Sequence, residues 1–277
     1  MNQKVVLLTG ASSGIGYETA IRLAHRGCKV YGAARRTERM EPLKAEGIIP
    51  LYLDVTDEAS IQACVDAVIA AEGRIDVLVN NAGYGYFGAI ENVTLEEARR
   101  QLEVNVFGLA ALTRLVLPHM RAQGSGRIIN LASIAGKLVL QFGGWYHVSK
   151  YAVEALSDAL RIEVKPFGID VVLIEPGGIR TNWGLIAADY LKESSAGTVY
   201  QTAADHQAHT MHAAYSSEKL LSPPSVIAKA ICRAVRAKRP RVRYRTGFAA
   251  HSAVFFHSIL PARWWDALMR QGGRKIL

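Results

Sequence analysis

The chain is poor in cysteine: Cys28, Cys64 and Cys232 are the only three in 277 residues, odd in number and far apart. That excludes a disulfide framework and a cysteine metal cluster, and it reads as reduced thiols in a cytosolic protein. No uncharged run of about eighteen apolar residues exists, so no transmembrane helix is expected. Phe248 to Met269 comes nearest, and His251, His257, Pro261, Arg263 and Asp266 interrupt it. The first apolar run, Val5 to Leu8, is too short for the core of a signal peptide. Repeats, linkers and low-complexity tracts are missing too, which leaves residues 1–277 as one domain. Acid is scarce beside base, with 24 Asp and Glu against 33 Lys and Arg, a net charge of +9. Much of the excess lies in Arg233, Arg236, Lys238, Arg239, Arg241, Arg243 and Arg245, with more at Arg270, Arg274 and Lys275. No base-reading motif or stacking platform accompanies it, so the reading is a solvated basic face and nucleic acid is not an expected partner.

What is present is an ordered globular composition, 50% hydrophobic and 21% charged. Strand and helix signals alternate with few breaks. Strands are expected at Val5–Leu8, Lys29–Ala33, Ile48–Leu53, Ile75–Val79, Gly126–Ala132, Asp170–Ile174 and near Val242–Tyr244. Helices are expected at about Tyr17–His25, Thr94–Arg121, Tyr146–Lys165 and Ser225–Ala237, with a Thr94/Glu97 capping box opening the second. Residues 181–222 read as a mobile excursion of short helical pieces over a site, and 248–277 as an aromatic tail. The fold class is α/β: a Rossmann-type, doubly wound parallel sheet of about seven strands, helices on both faces, and a C-terminal lid or tail.

Gly10, Gly14 and Gly16 stand between the first strand and the first helix as G-x-x-x-G-x-G. Glycine permits the tight turn and a close backbone approach to pyrophosphate, and the helix start offers free N–H groups. The second strand ends in Ala33-Ala34-Arg35-Arg36, where an acidic residue would favour NAD. Two guanidinium groups there suit a 2′-phosphate, so NADP(H) rather than NAD(H) is the expected cofactor. Tyr146 and Lys150, four apart, share one face of a helix. An ordinary phenol titrates near about pH 10, and a cation held beside it lowers that toward the working range.

In this order the chain carries Thr9-Gly10, Gly14, Gly16, Asn80-Asn81-Ala82-Gly83, Asn105, Ser133, Tyr146-x-x-x-Lys150 and Pro176-Gly177. The joint pattern, over roughly residues 4 to 185, resembles the short-chain dehydrogenase/reductase family. Within it the chain looks most like NADP-dependent carbonyl reductases and 17β-hydroxysteroid or retinol dehydrogenase-like enzymes. The resemblance implies that Tyr146 is the general acid or base on the substrate oxygen and that Lys150 lowers its pKa and binds the nicotinamide ribose. Ser133 polarises the substrate carbonyl, and Asn105 holds a water in a proton relay from Lys150. Gly10, Ser12, Ser13, Gly14, Ile15 and Gly16 take the pyrophosphate, and Arg35 and Arg36 the 2′-phosphate. Asp54 and Val55 contact adenine; Asn81, Ala82 and Gly83 line its ribose and brace the sheet. Pro176, Gly177, Ile179 and Thr181 bind the carboxamide side of nicotinamide. A small-molecule carbonyl or alcohol is the implied substrate. The two long helices are similar to those through which members form homodimers or homotetramers.

Two other readings use the same residues: an epimerase or dehydratase with tightly held cofactor, and a silent nucleotide-sensing protein, which would not need Asn105, Ser133, Tyr146 and Lys150 together. No metal is expected, because His206, His209 and His212 have no cysteine or carboxylate cluster beside them. His147 is adjacent to Tyr146 and so falls on another face. Tyr84, Tyr86, Phe87, Leu138, Trp145, Trp183 and Tyr190 form either an apolar substrate pocket or loop packing. Phe255-Phe256 and Trp264-Trp265 could meet a membrane interface; a lid or a buried subunit contact is the favoured account.

Overall fold

The computed structural model describes residues 3–271, so Arg274 and Lys275 lie outside it. All seven strands are parallel: β1 (Val5–Thr9), β2 (Lys29–Ala34), β3 (Ile49–Tyr52), β4 (Val77–Asn80), β5 (Gly126–Leu131), β6 (Ile169–Pro176) and β7 (Arg243–Thr246). Their order across the sheet is 3-2-1-4-5-6-7, the doubly wound arrangement expected from the alternation of signals. Helices α1 (Gly14–Ala24), α2 (Glu58–Glu72), α3 (Leu95–Leu102), α4 (Gly108–Ala122), α5 (Gly144–Val164), α6 (Asn182–Ser195), α7 (Gln201–Ser216) and α8 (Pro224–Arg236) follow in chain order, and α9 (Ala250–Ile259) and α10 (Ala262–Gln271) form the tail.

β1 shows why both faces must be covered. Val6 and Leu8 point into a core shared with Leu23 of α1 and Ile227 and Ile231 of α8. Val5 and Leu7 point the other way, against Val65 of α2 and Leu112 and Val116 of α4. Alternate residues enter opposite cores, so the strand reads as a continuous apolar run. All three cysteines are buried in these layers. No described helix is long and apolar enough to cross a membrane.

The structure differs from the sequence reading in several places, the helices α9 and α10 of the tail among them. α2 is not among the expected helices, although Asp57 caps it by accepting from the Ala59 N–H at 2.9 Å. Residues 181–222 hold not short pieces but helices of 14 and 16 residues. They pack through Ala187, Ala188, Ala204 and Ala208, and alanine gives too little hydrophobic contrast for a periodic signal. The expected long helix at 94–121 is interrupted by a π-helical turn, Glu103–Phe107, centred on Asn105.

A buried amide ladder ties the sheet to α5. Asn80 Nδ2 donates to Asn130 Oδ1 at 2.9 Å and to Thr113 Oγ1 at 3.1 Å, and Asn130 Nδ2 donates to Ser157 Oγ at 2.9 Å. These bonds set the height of α5 over β4 and β5, because leaving any one buried amide unpaired would cost about 1–3 kcal/mol.

Candidate active site

The expected residues collect beyond the carboxyl ends of β1, β4, β5 and β6, the crevice where open α/β sheets hold ligands. Gly10 and Gly14 take left-handed φ of 70° and 55°, which an L side chain rarely adopts. A Cβ on Gly16 would collide with the Gly10 carbonyl oxygen and come within 2.6 Å of Asn81 Nδ2. Ser13 precedes α1 in extended conformation without a side-chain cap, so the first N–H groups of α1 face the turn uncapped. Buried Ser12 and the residue Ile15 complete this cradle. Thr181 leans over it, its Cγ2 within 3.3 Å of where a Gly14 Cβ would stand. Such a glycine-lined cradle at a helix N-terminus fits a pyrophosphate.

Thr9 and Asn81 lock β1 to β4. Thr9 Oγ1 accepts from the Asn81 and Ala82 N–H groups at 3.0 and 2.9 Å, while Asn81 Nδ2 donates to Thr9 O at 2.9 Å. Arg35 and Arg36 are exposed at the end of β2 and form no ion pair among the described residues. Asp54 Oδ1 accepts from Thr56 N–H and Oγ1 at 3.0 and 2.8 Å. Burial pushes its carboxyl up, but the Thr56 bonds with Arg35 and Arg100 nearby leave it below the ordinary value. Val55 lies against Gly108. Pro176 closes β6, Gly177 abuts the Phe248 carbonyl, and Ile179 is buried.

α5 brings Tyr146 and Lys150 together as its periodicity requires, with Lys150 Nζ 5.9 Å from the Tyr146 ring centre. Lys150 Nζ donates to Leu131 O, at the end of β5, at 2.8 Å. Ser133 Oγ accepts from the Ala135 N–H at 3.1 Å and donates to Pro176 O at 3.4 Å, close enough to the Tyr146 phenol to restrain its pKa. The electrostatics correct one expectation. Burial pushes the Tyr146 phenol above its usual value, and Ser133 offsets only part of that. Lys150 does not draw it down; burial instead lowers the lysine to about 8, with Glu154 pulling the other way. The cause is visible around the ring. Trp183 lies 4.9 Å and Phe87 5.7 Å from the Tyr146 ring centre, and Tyr215 stands 6.4 Å from Trp183. An apolar enclosure disfavours phenolate and ammonium alike.

The Asn105 side chain is fully engaged with its protein neighbours. Its Oδ1 accepts from Tyr84 N–H at 3.0 Å, and its Nδ2 donates to Tyr84 O at 2.9 Å and Ser149 Oγ at 3.0 Å. The side chain is therefore engaged in holding the loop after β4, beside Gly83 and Lys150. The π turn gives the buried asparagine this reach, a frequent device at functional sites. Gln101 makes a parallel grip, accepting from Tyr86 N–H at 2.6 Å. Ser149 Oγ donates to Tyr146 O at 2.7 Å. Sequence reasoning misses Gln101 and Ser149, though Gln101 precedes Asn105 by one helical turn, a spacing that could raise it.

Of the aromatic group, Phe87 and Trp183 pack on Tyr146, whereas Tyr86 and Tyr190 stack on each other at 4.5 Å. Leu138 is fully buried and the Trp145 Nε1 is buried without a partner. Tyr84 keeps its phenol high through burial. His212 pairs with Asp189 at 2.9 Å.

His147 is a buried strut. Its Nδ1 donates to Ala135 O at 2.9 Å and its Nε2 accepts from the Leu140 N–H at 3.0 Å, tying the loop after Ser133 to α5. That pattern requires the neutral ring, and burial holds its pKa below the usual value against the pull of the main-chain bonds. A folded-state pKa below the unfolded one means that the unfolded chain binds the extra proton first. Stability should therefore fall as pH drops below about 6.5, the unfolded value, and level off beneath the folded one. His147→Gln should start on the order of 1 kcal/mol less stable and lose most of this slope, as urea unfolding at a series of pH values would show.

Comparison with known proteins agrees with this geometry. The short chain dehydrogenase family model matches residues 4–217. A 3-ketodihydrosphingosine reductase of Bacteroides thetaiotaomicron is 37% identical over 89% of both chains. A short-chain dehydrogenase from Streptomyces avermitilis has the same fold, with a TM-score of 0.80, 35% identity, and coverage of 98% of this chain and 96% of its own. A short chain dehydrogenase/reductase from Burkholderia phymatum, solved with NAD, superposes with a TM-score of 0.78 at 26% identity, covering 96% and 95%.

Proposed function

Since the chain belongs to the short-chain dehydrogenase family of oxidoreductases, we propose that it interconverts a carbonyl and a secondary alcohol on an apolar substrate with NADP(H). The observation that carries this reading is the meeting of Tyr146, Ser133 and Lys150 beside a glycine-lined phosphate cradle. A bound nicotinamide dinucleotide supplies or takes up the hydride. In reduction, the carbonyl oxygen sits between the Ser133 and Tyr146 hydroxyls. Ser133 polarises it by donation, and Tyr146 gives up its proton as the carbon accepts hydride. A phenol held high by burial is protonated throughout the neutral range. Lys150 holds the ribose, its own pKa lowered to about 8 by burial. With the Asn105 side chain committed to Tyr84 and Ser149, a relay water at this position is held by main-chain groups.

Gly10, Ser12, Ser13, Gly14, Ile15 and Gly16 hold the pyrophosphate. Asp54, Val55, Asn81, Ala82 and Gly83 hold the adenosine half, and Pro176, Gly177, Ile179 and Thr181 the carboxamide side. The Phe87–Trp183–Tyr215 enclosure supports an apolar substrate, as does the relative whose name makes it a ketodihydrosphingosine reductase. The whole chain acts as one domain, with α6 and α7 over the site. Exposed Phe107 at the end of the π turn, with Val148, Tyr151 and Ile162 on α5, supports a homodimer or homotetramer through these faces. The epimerase and the nucleotide sensor gain no support from any observation of the site.

Unpaired Arg35 and Arg36 support NADP. The chain should bind NADPH at least about tenfold more tightly than NADH, one charge-assisted bond being worth roughly 1.5–3 kcal/mol. Arg35→Ala with Arg36→Ala should bring the two affinities together. Fluorescence titration, with turnover of apolar ketones measured alongside, tests both halves; equal affinities in the unaltered chain would remove the cofactor assignment.

A further inference from the structure

The two helices of the tail leave much of their apolar surface exposed on the described chain. α10 is held by Trp265, whose Nε1 donates to Val139 O at 3.3 Å and whose ring stands edge-on to His257 of α9 at 4.9 Å. Its neighbours are left outside. Phe255, Phe256, Ile259, Trp264 and Leu268 are between 49% and 68% exposed. Scattered singly, such residues would be ordinary; here they share two consecutive helices, and Val139 and Leu140 on the loop after Ser133 extend the same exposed apolar character toward the site.

A basic groove of about 1000 Å³ reaches the first turn of α9 at His251. Arg26, Arg233, Arg236, Arg239 and Arg241 line it and form no ion pair among the described residues. Its single acidic lining residue, Glu175, is already engaged by Arg243 and Arg245 at 3.0 and 2.7 Å. From Phe248 to Gln271 the chain has one acidic residue, Asp266.

From these two features together we propose that α9, α10 and the arginine groove dock the protein on an anionic membrane surface. Apolar side chains and unpaired cations are the two signals that peripheral attachment requires, and neither suffices alone. A second copy of the chain fits less well, since a two-fold contact through the tail would bring two unpaired arginine groups toward each other. Nucleic acid would suit the arginines but leave Ile259, Leu268, Val139 and Leu140, which do not stack on bases, in water. With no described helix able to span, the tail lies on the membrane rather than through it.

The test is co-sedimentation of the full chain with phosphatidylcholine vesicles, with and without phosphatidylserine. Binding to the anionic vesicles should be roughly tenfold tighter or more, and should weaken with salt. Phe256→Ser with Trp264→Ser should reduce binding to both vesicles about tenfold, and Arg239→Glu with Arg241→Glu should abolish the preference for phosphatidylserine. Both variants should turn over a water-soluble ketone as the unaltered chain does, which separates this surface from the chemistry of the site. The proposal is overturned if the unaltered chain shows no preference for anionic vesicles, or if the apolar variant binds as well as the unaltered chain. It is equally overturned if sedimentation equilibrium shows that variant dissociating an oligomer, for then a second copy covers the tail.

Discussion

Tyr146→Phe should lower kcat by roughly a hundredfold to ten-thousandfold, the usual contribution of a positioned acid or base. Fold and nucleotide affinity should stay close to those of the unaltered chain. The substitution removes one oxygen from a ring still packed by Phe87 and Trp183, so the loss falls on the proton and not on the site's shape. The size of the effect follows from the surroundings. A phenol raised by burial and only partly restrained by Ser133 keeps its proton until a carbonyl oxygen needs it. The nearby hydroxyls do not replace it: Ser149 Oγ already donates to Tyr146 O, and Ser133 is left to polarise the carbonyl by donation. Steady-state rates with circular dichroism and NADPH titration check all three parts. Retention of full turnover by the phenylalanine variant would remove Tyr146 from the chemistry.

Gly16→Ala should be the most damaging small change at the nucleotide end. The added methyl would press on the Gly10 carbonyl and on Asn81 Nδ2, both main structural members of the turn. Neither is the free end of a flexible side chain, so the turn must open. An overpacked contact of this kind costs roughly 3 kcal/mol, which is about a hundredfold in affinity if it falls on binding. Gly27→Ala is the contrast. Gly27 has φ of 79°, and a methyl added there would meet nothing within 4 Å. That substitution should therefore lose about 1–2 kcal/mol of stability through backbone strain alone and bind NADPH unchanged. Thermal unfolding paired with NADPH titration separates the two.

Much of this is legible in the chain because it depends on residue types that have few substitutes. Only glycine can make the turn at Gly10, Gly14 and Gly16, and doubly covered strands such as Val5–Thr9 must be apolar throughout. Helical spacing alone places Tyr146 over Lys150. What cannot be read is what each side chain meets. Asn105 announces itself as a polar residue in a helix, but that its amide clasps Tyr84 depends on a loop brought back by β4 and on a π turn no propensity foretells. Helical geometry rightly excludes His147 as a partner for Tyr146, yet the same geometry turns it toward Ala135 and Leu140. The Tyr146 environment escapes the sequence for a related reason. One turn of helix shows the neighbouring cation, whereas the enclosing Trp183 and Tyr215 arrive from helices whose alanine-rich faces carry almost no periodic signal.

The most direct measurement supplies the protein with NADPH carrying deuterium at the transferable nicotinamide C4 position and an apolar ketone. Mass spectrometry of the alcohol should find the deuterium on the carbinol carbon, with the hydroxyl proton drawn from water through Tyr146. Alcohol formed without the label, or no alcohol from any ketone tried while NADPH binds, would contradict hydride transfer at this site.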